Sequence, residues 1–340
     1  MQFFSEYILG WKGPTGKAAL LGTCVHKILE ILAVWKKAHQ DKNSHFDDEI
    51  LGKCSINKHL DYFSVKRKRM DVDKLIPLIY NHYTENVTYH DWTGADYKKV
   101  YKWCWMAIDF RKGIFNPLRQ NIYMPEQHFD IEIEEPWAAY DYPEYGLRGN
   151  LRIKGTIDLM VHESDDTIEI VDYKTGQCKN WATGEPYTWE SLHHNFQLRL
   201  YHYAAFKLLP HAKHILTTIY YIRDGGPFTL SFDESDIPET LRMLQNKFEE
   251  MRDTKIPQMK KSWMCRRICH QGKSTFEDTN ISAIKQTTNS NNYFSSCGET
   301  MCKCDQLSYT FSHRPIDTII ENMSKDDHHV SDYHAPGAAE

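Results

Sequence analysis

The sequence predicts an α/β protein: a mixed central sheet flanked by helices, with a helical insertion and a cysteine-rich C-terminal segment. Three observations predict it. An apolar stretch with helical period opens the chain at Lys17–Lys37. Strand-like runs fill 128–174, and helix, strand and helix alternate from 189 to 252.

In KAALLGTCVHKILEILAVWKK, residues Leu21, Val25, Ile28, Leu29 and Leu32 share one helical face. The preceding GWKGPTGK is read as a loop and not as a phosphate cradle. Five residues separate Gly10 from Gly16 where that motif has four, and Ala18 stands where it needs Ser or Thr. Residues 40–120 are polar and aromatic, with helices expected at Asp73–Tyr83 and Ala95–Phe110, and read as the insertion. Strands follow at His128–Glu134, Asn150–His162 and Thr167–Lys174, the last two joined by ESDD. A helix is expected over Trp189–Leu209, then a strand at His214–Arg223 closed by Gly225-Gly226-Pro227, then a helix over Ile237–Arg252. The expected organisation is a body at 1–255, a cysteine-rich segment at 256–310 and a loose, polar tail at 311–340.

With 340 residues, one elaborated domain is the default. Hydrophobic residues at 41% and charged residues at 26% exclude disorder across the body. No apolar run of about 18 residues and no basic-then-apolar leader are read, so the expectation is a soluble, intracellular, cytoplasmic protein without membrane contact. A net charge of -5 makes no global case for nucleic acid. The basic run KRKR at Lys66–Arg69 reads as a solvated face, and a cleft for divalent cations carries carboxylates in any case. Nine cysteines in an intracellular chain point to thiols or metal ligands. Cys24, Cys54, Cys104 and Cys178 are scattered, whereas five crowd into Cys265–Cys304.

The stretch EIVDYKTGQ puts Asp172 and Lys174 at the end of an apolar strand. A loop at Ser164–Asp166 sets a hairpin register in which Asp158 faces Asp172, with Cβ atoms about 4.5–5.5 Å apart. Two carboxylates so close need a proton or a cation between them, and a hard divalent ion such as Mg²⁺ with oxygen ligands meets that need. Strand period returns Lys174 to the face of Asp172. Its ammonium could orient a water, stabilise charge on a phosphate or act as a base. Paired charges on a partly exposed hairpin are the plainer alternative.

GTIDLM, EIVDYKTG and FQLRLYHYA, taken in order, resemble the PD-(D/E)XK nuclease superfamily, in particular the RecB-like branch that includes CRISPR-associated and phage-encoded exonucleases. The pattern Gly-x-x-Asp, Asp-x-Lys and Gln-x-x-x-Tyr is matched by Gly155/Asp158, Asp172/Lys174 and Gln197/Tyr201, and an upstream Gly-x-x-x-His by Gly22 and His26. The resemblance implies a restriction-endonuclease-like fold and metal-dependent hydrolysis of DNA. His26, Asp158, Asp172 and the carbonyl of Tyr173 would hold Mg²⁺ or Mn²⁺, one ion or two, with Asp158, Asp172 and Lys174 catalytic. Gln197 and Tyr201, one helical turn apart, would contact the DNA backbone or support the site. Glu126 sits where relatives often carry a glutamate before a strand.

Some members of this branch hold a 4Fe–4S cluster between one cysteine before the histidine helix and three after the core. FFSEYILGWKG resembles the segment after that first cysteine, but none precedes it here, and Cys24 lies inside the helix. Cys265, Cys269, Cys297, Cys302 and Cys304 are candidates for such a cluster, for Zn²⁺, or for free thiols. His193/His194 and His211/His214 read as surface histidines. By resemblance the protein is expected to be a Mg²⁺-dependent deoxyribonuclease acting at DNA ends in recombination, repair or replication, in the cytoplasm of a host cell if phage-encoded. An exonuclease is favoured over an endonuclease. An inactive DNA-binding or assembly module of the same fold is the alternative, and a cysteine-rich interaction protein a third reading.

Overall fold

The computed structural model describes residues 15–42, 68–143, 146–180, 183–224 and 226–253. The chain divides into two units: Thr15–Glu249 holds the sheet and its helices, and of the other only residues 250–253 are described. The five clustered cysteines, Cys54, the first two residues of KRKR and the tail lie outside the described residues.

Three long helices form one side of this body: α1 (Lys17–Gln40), α2 (Lys68–Asn86) and α3 (Gly94–Asp109). The expected apolar face of α1 is buried, and so are Ile31, Ala33 and Trp35, because α2, α3 and the sheet all pack on it. By length and composition α1 could cross a membrane, contrary to the expectation that no such run exists; most of its apolar window is instead buried in the core. Thr93 and Asp96 cap α3 reciprocally, and Lys17 Nζ reaches Asp96 Oδ2 at 2.7 Å, tying together the starts of α1 and α3. Of the expected insertion, α2 and α3 share a single hydrophobic core with α1 and with Leu159, Val171 and Tyr173 of the sheet.

The sheet has the order β1-β4-β5-β6-β7, from β1 (Ile122–Glu132), β4 (Arg152–His162), β5 (Thr167–Lys174), β6 (His214–Tyr221) and β7 (Gly226–Phe232). A separate hairpin of β2 (Ala139–Tyr142) and β3 (Leu147–Asn150) stands beside it. The β5–β6 pair is parallel and the other pairs are antiparallel, which makes the sheet mixed. β5 is central and nearly all buried, so it reads as a continuous apolar run without alternation. The crossover from β5 to β6 runs through α4 (Trp189–His193) and α5 (Phe196–Leu208), and α6 (Ile237–Asp253) follows β7. Side chains of α5 and α6 build a second core with Phe129, Ile157 and Ile170 on the opposite side of the sheet.

Four elements depart from expectation. β1 begins at Ile122, earlier than His128. The helix expected over Trp189–Leu209 is two helices, because the Asn195 side chain accepts from Gln197 N and Leu198 N and so starts α5 anew. The segment read as a closing turn after β6 begins β7; its Pro227 is tolerated because β7 is an edge strand. The β2–β3 hairpin was not foreseen.

Candidate active site

The C-terminal end of β5 receives one helix from each side of the sheet. On the α1 side, contact depends on Gly22. A Cβ at this residue would lie 2.6 Å from Thr175 Oγ1, so glycine is what lets the helix close onto the end of β5. One turn further along α1, His26 Nδ1 stands 3.3 Å from Asp158 Oδ2. The Gly-x-x-x-His spacing therefore has a packing cause at its first residue and a polar contact at its last.

The β4–β5 hairpin has the expected register. Its four rungs run from Leu159↔Val171 to His162↔Ile168, closed by Glu163 N donating to Thr167 O at 3.0 Å. The ladder stops one residue short of Asp158 and Asp172. There Asp158 Oδ2 accepts from the backbone N–H of Tyr173 at 2.9 Å. Ile157 and Leu159, two apart, belong to opposite cores, so β4 rotates at Asp158 as it parts from β5. On its other edge, the pairs Pro125↔Leu159 and Gln127↔Ile157 bracket Glu126 opposite Asp158. Glu126 has φ 45°, a left-handed conformation unusual for a residue with a side chain. It lies inside β1 and not before a strand. Three adjacent strands thus bring one carboxylate each to the same level: Glu126, Asp158 and Asp172.

Asp172 is buried and surrounded by donors. Its Oδ1 accepts from Lys174 Nζ at 3.0 Å, Gln197 Nε2 at 3.3 Å and Tyr201 Oη at 3.3 Å, and Gln197 Nε2 also donates to Tyr201 Oη at 2.7 Å. Lys174 Nζ also lies 2.7 Å from Oδ2, so the ammonium pairs with both oxygens of the carboxylate. Gln197 and Tyr201 thus direct their polar ends at Asp172, and Tyr201 is buried. Gly155 belongs to the same construction: a Cβ there would meet the Phe129 ring at 2.5 Å, and that ring packs edge-on to Tyr201.

Burial comes first in the electrostatics of the site, and neighbouring carboxylates add to it. Burial raises the Asp172 carboxyl to about 6; Lys174 opposes the shift and Asp158 adds to it. Burial, then the charges of Asp158 and Glu30, push Glu126 up to about 8. For His26, burial acts to lower the pKa but is outweighed by the hydrogen bond and charge of Asp158, and the net shift is upward. Glu30 was not a sequence candidate; its position four residues after His26 on α1 was the available signal.

Among the described residues, no three His, Cys, Asp or Glu side chains meet at ligating distance. The chemistry of the donor set nevertheless fits a hard divalent cation: the carboxylates of Glu126, Asp158 and Asp172 stand on three adjacent strands, the Asp158 charge raises the pKa of both of the others, and an imidazole lies beside Asp158. Tyr173 turns its N–H toward Asp158, and in an extended strand its carbonyl faces the same way. Cys24, Cys104 and Cys178 are free thiols, the first two buried and distinct from this cluster.

A mixed sheet flanked by helices, with paired acids and a lysine at the end of a central strand, defines a restriction-endonuclease-like α/β protein. The profile of the PD-(D/E)XK nuclease superfamily matches residues 1–271, and the chain belongs to that superfamily. No curated protein matches the chain. Nucleases of this superfamily typically use divalent metal ions such as Mg²⁺ or Mn²⁺.

Proposed function

We propose that the protein is a divalent-metal-dependent deoxyribonuclease of the RecB-like branch, acting as an exonuclease at DNA ends inside the cell. The observation that carries the reading is the convergence at the end of β5: Lys174, Gln197 and Tyr201 hold the buried Asp172 carboxylate in one orientation, and the backbone N–H of Tyr173 fixes the Asp158 carboxylate next to it. Asp158, Asp172, His26 and the carbonyl of Tyr173 would hold the cation, with Glu126 adjacent. When bound, Mg²⁺ or Mn²⁺ supplies a Lewis acid that polarises a phosphoryl oxygen and lowers the pKa of water.

The protein's own groups do the positioning. Lys174 pairs with both oxygens of Asp172, and its remaining N–H would orient the attacking water or stabilise charge on a non-bridging phosphate oxygen. Water oxygen forms the new P–O bond and gives up a proton to solvent, the bridging P–O bond breaks, and the departing oxygen takes a proton from solvent, so the protons balance. Gln197 and Tyr201 hold the Asp172 side chain in one orientation throughout. The five clustered cysteines are candidates for Zn²⁺, for a 4Fe–4S cluster or for free thiols, a reading that rests on their crowding in the sequence alone.

A second reading, an inactive DNA-binding module, draws on the carboxylates being engaged by protein donors with no three ligands converging among the described residues. Incubation of end-labelled linear and closed circular DNA with Mg²⁺, Mn²⁺ or EDTA separates the readings. The proposed exonuclease degrades linear DNA only, and only with metal. Cleaved circles indicate an endonuclease, and two intact substrates in both metals leave the inactive module.

A further inference from the structure

The break between α4 and α5 leaves a backbone acceptor without its helical partner. In an unbroken helix the carbonyl of His193 would accept from the N–H of Gln197, but Gln197 N donates to Asn195 Oδ1 at 3.0 Å. Arg199 supplies the missing donor. Its Nε donates to His193 O at 2.8 Å, and its Nη2 donates to Nδ1 of the same residue at 3.1 Å, since a guanidinium cannot accept. Nη2 also donates to Glu239 Oε2 at 3.1 Å in the first turn of α6, and Nη1 reaches Asp236 just before that helix, its carbonyl at 3.5 Å and its carboxylate at 3.8 Å. Arg199 Cζ lies over the ring of Phe232, the last residue of β7, at 5.4 Å. One fully buried side chain therefore joins α4, α5, β7 and α6.

Gln197, Arg199 and Tyr201 are spaced two residues apart on α5. At 3.6 residues per turn Gln197 and Tyr201 share a face and Arg199 lies on the opposite one, so the helix is gripped from both sides. The bonds that Gln197 Nε2 and Tyr201 Oη make to Asp172 Oδ1 are both 3.3 Å, at the long end for hydrogen bonds. A roll of α5 by about 10° would carry a side-chain end about 1 Å, enough to break both. Leu198, Ala204 and Ala205 hold α5 in the core through apolar contacts, which are non-directional and fix that roll weakly. The planar fork of Arg199 is directional, and the cost of leaving a buried charge unpaired keeps it on its partners.

We propose that Arg199 is a positioning residue for the candidate active site: by bonding His193, Asp236 and Glu239 it sets the roll of α5, and so the reach of Gln197 and Tyr201 to Asp172. Its effect on cleavage rests on the nuclease reading; the coupling from Arg199 to Tyr201 does not. Arg199 touches neither Asp172 nor the place of a cation, and acts only through the opposite face of its helix.

The test uses the full chain labelled with tyrosine carrying ¹³C at Cζ, in EDTA, followed by nuclear magnetic resonance. The Tyr201 signal is the one that Tyr201→Phe removes. Arg199→Met, which keeps the stem and removes every donor, should shift it in protein whose melting shows it folded. Arg199→Lys retains a charge opposite Asp236 and Glu239 but not the fork, so it should shift the signal too and keeps the test open where the methionine variant does not fold. Arg152→Met, on the exposed face of β4, should leave it in place. With Mg²⁺, Arg199→Met should lower kcat about tenfold with KM for DNA within about twofold of wild type. In a Gln197→Ala/Tyr201→Phe background the same substitution should cost less than about twofold more. An unmoved Tyr201 signal in the folded Arg199 variants, fully additive losses of kcat, or failure of both variants to fold would overturn the proposal. A shifted Tyr201 signal in a protein whose wild type cleaves no DNA would sink the nuclease reading and leave the coupling standing; cleavage with an unmoved signal would do the reverse.

Discussion

The backbone N–H of Tyr173 donates to Asp158 Oδ2 at 2.9 Å, in the place where the next rung of the β4–β5 ladder would stand. A strand amide that would otherwise bond a neighbouring carbonyl bonds a carboxylate instead. The separation of β4 from β5 and the placement of Asp158 are therefore one event. That event brings two acidic side chains, with Glu126 beyond them, to the end of a central strand.

Asp172→Asn separates chemistry from stability. Its carboxyl is raised by burial, so the ionised form works against the fold near neutral pH. In EDTA the variant should melt about 2–4 °C higher, the shift expected for roughly 1 kcal/mol in a body of this size. Its DNA cleavage should drop by about 100-fold or more. Thermal melting and single-turnover cleavage on the same preparation check both halves.

Gly22→Ala tests the approach of α1. Alanine raises helix propensity by about 1 kcal/mol, but its Cβ would sit 2.6 Å from Thr175 Oγ1. We expect a net loss of about 1–3 kcal/mol and reduced cleavage as His26 is pushed from Asp158. Thr175→Ala removes the offending oxygen, so the double variant should recover much of both losses. A double-mutant cycle with strong coupling is the expected result, and strictly additive effects would place the role of Gly22 elsewhere.

Gln197→Ala and Tyr201→Phe each remove a donor to Asp172 Oδ1. A hydrogen bond to a charged group contributes about 1.5–3 kcal/mol, so kcat should fall about tenfold or more. Binding of DNA in EDTA should stay within about twofold of wild type. Weakened binding with unchanged kcat would instead mean that these side chains contact the DNA backbone.

The acid-base behaviour has a defined sign. Asp172 and Glu126 titrate above their ordinary values, at about 6 and about 8, and His26 is raised as well. The native state therefore binds more protons than the unfolded chain, and stability falls as pH rises through this window. Melting in EDTA should drop between about pH 5 and pH 8.5. Saturating Mg²⁺ should flatten that drop, because a cation takes the place of the protons.

The order of the central elements and the hairpin register were legible because loop length and strand period determine them locally. Thr167–Lys174 was bounded to the residue, since a fully buried strand ends abruptly at its charges. Less legible was anything set by a tertiary contact. Asn195 interrupts an otherwise helical pattern through its side chain, and Pro227 disguises β7 as a turn. Strict alternation cannot foresee the rotation of β4 at Asp158 or the left-handed Glu126. The Gly22–His26 spacing was visible as a pattern, but its cause, contact with Thr175, was not.

Binding of Mn²⁺ followed by electron paramagnetic resonance at about pH 8, without DNA, tests the central claim most directly. Wild type should remove free Mn²⁺ from solution. Asp158→Ala and Asp172→Ala should each lose that binding while remaining folded, and Asp130→Ala, which alters an exposed carboxylate paired with Arg152 and Lys154, should retain it. Equal Mn²⁺ binding by all four proteins would contradict a cation site between Asp158 and Asp172.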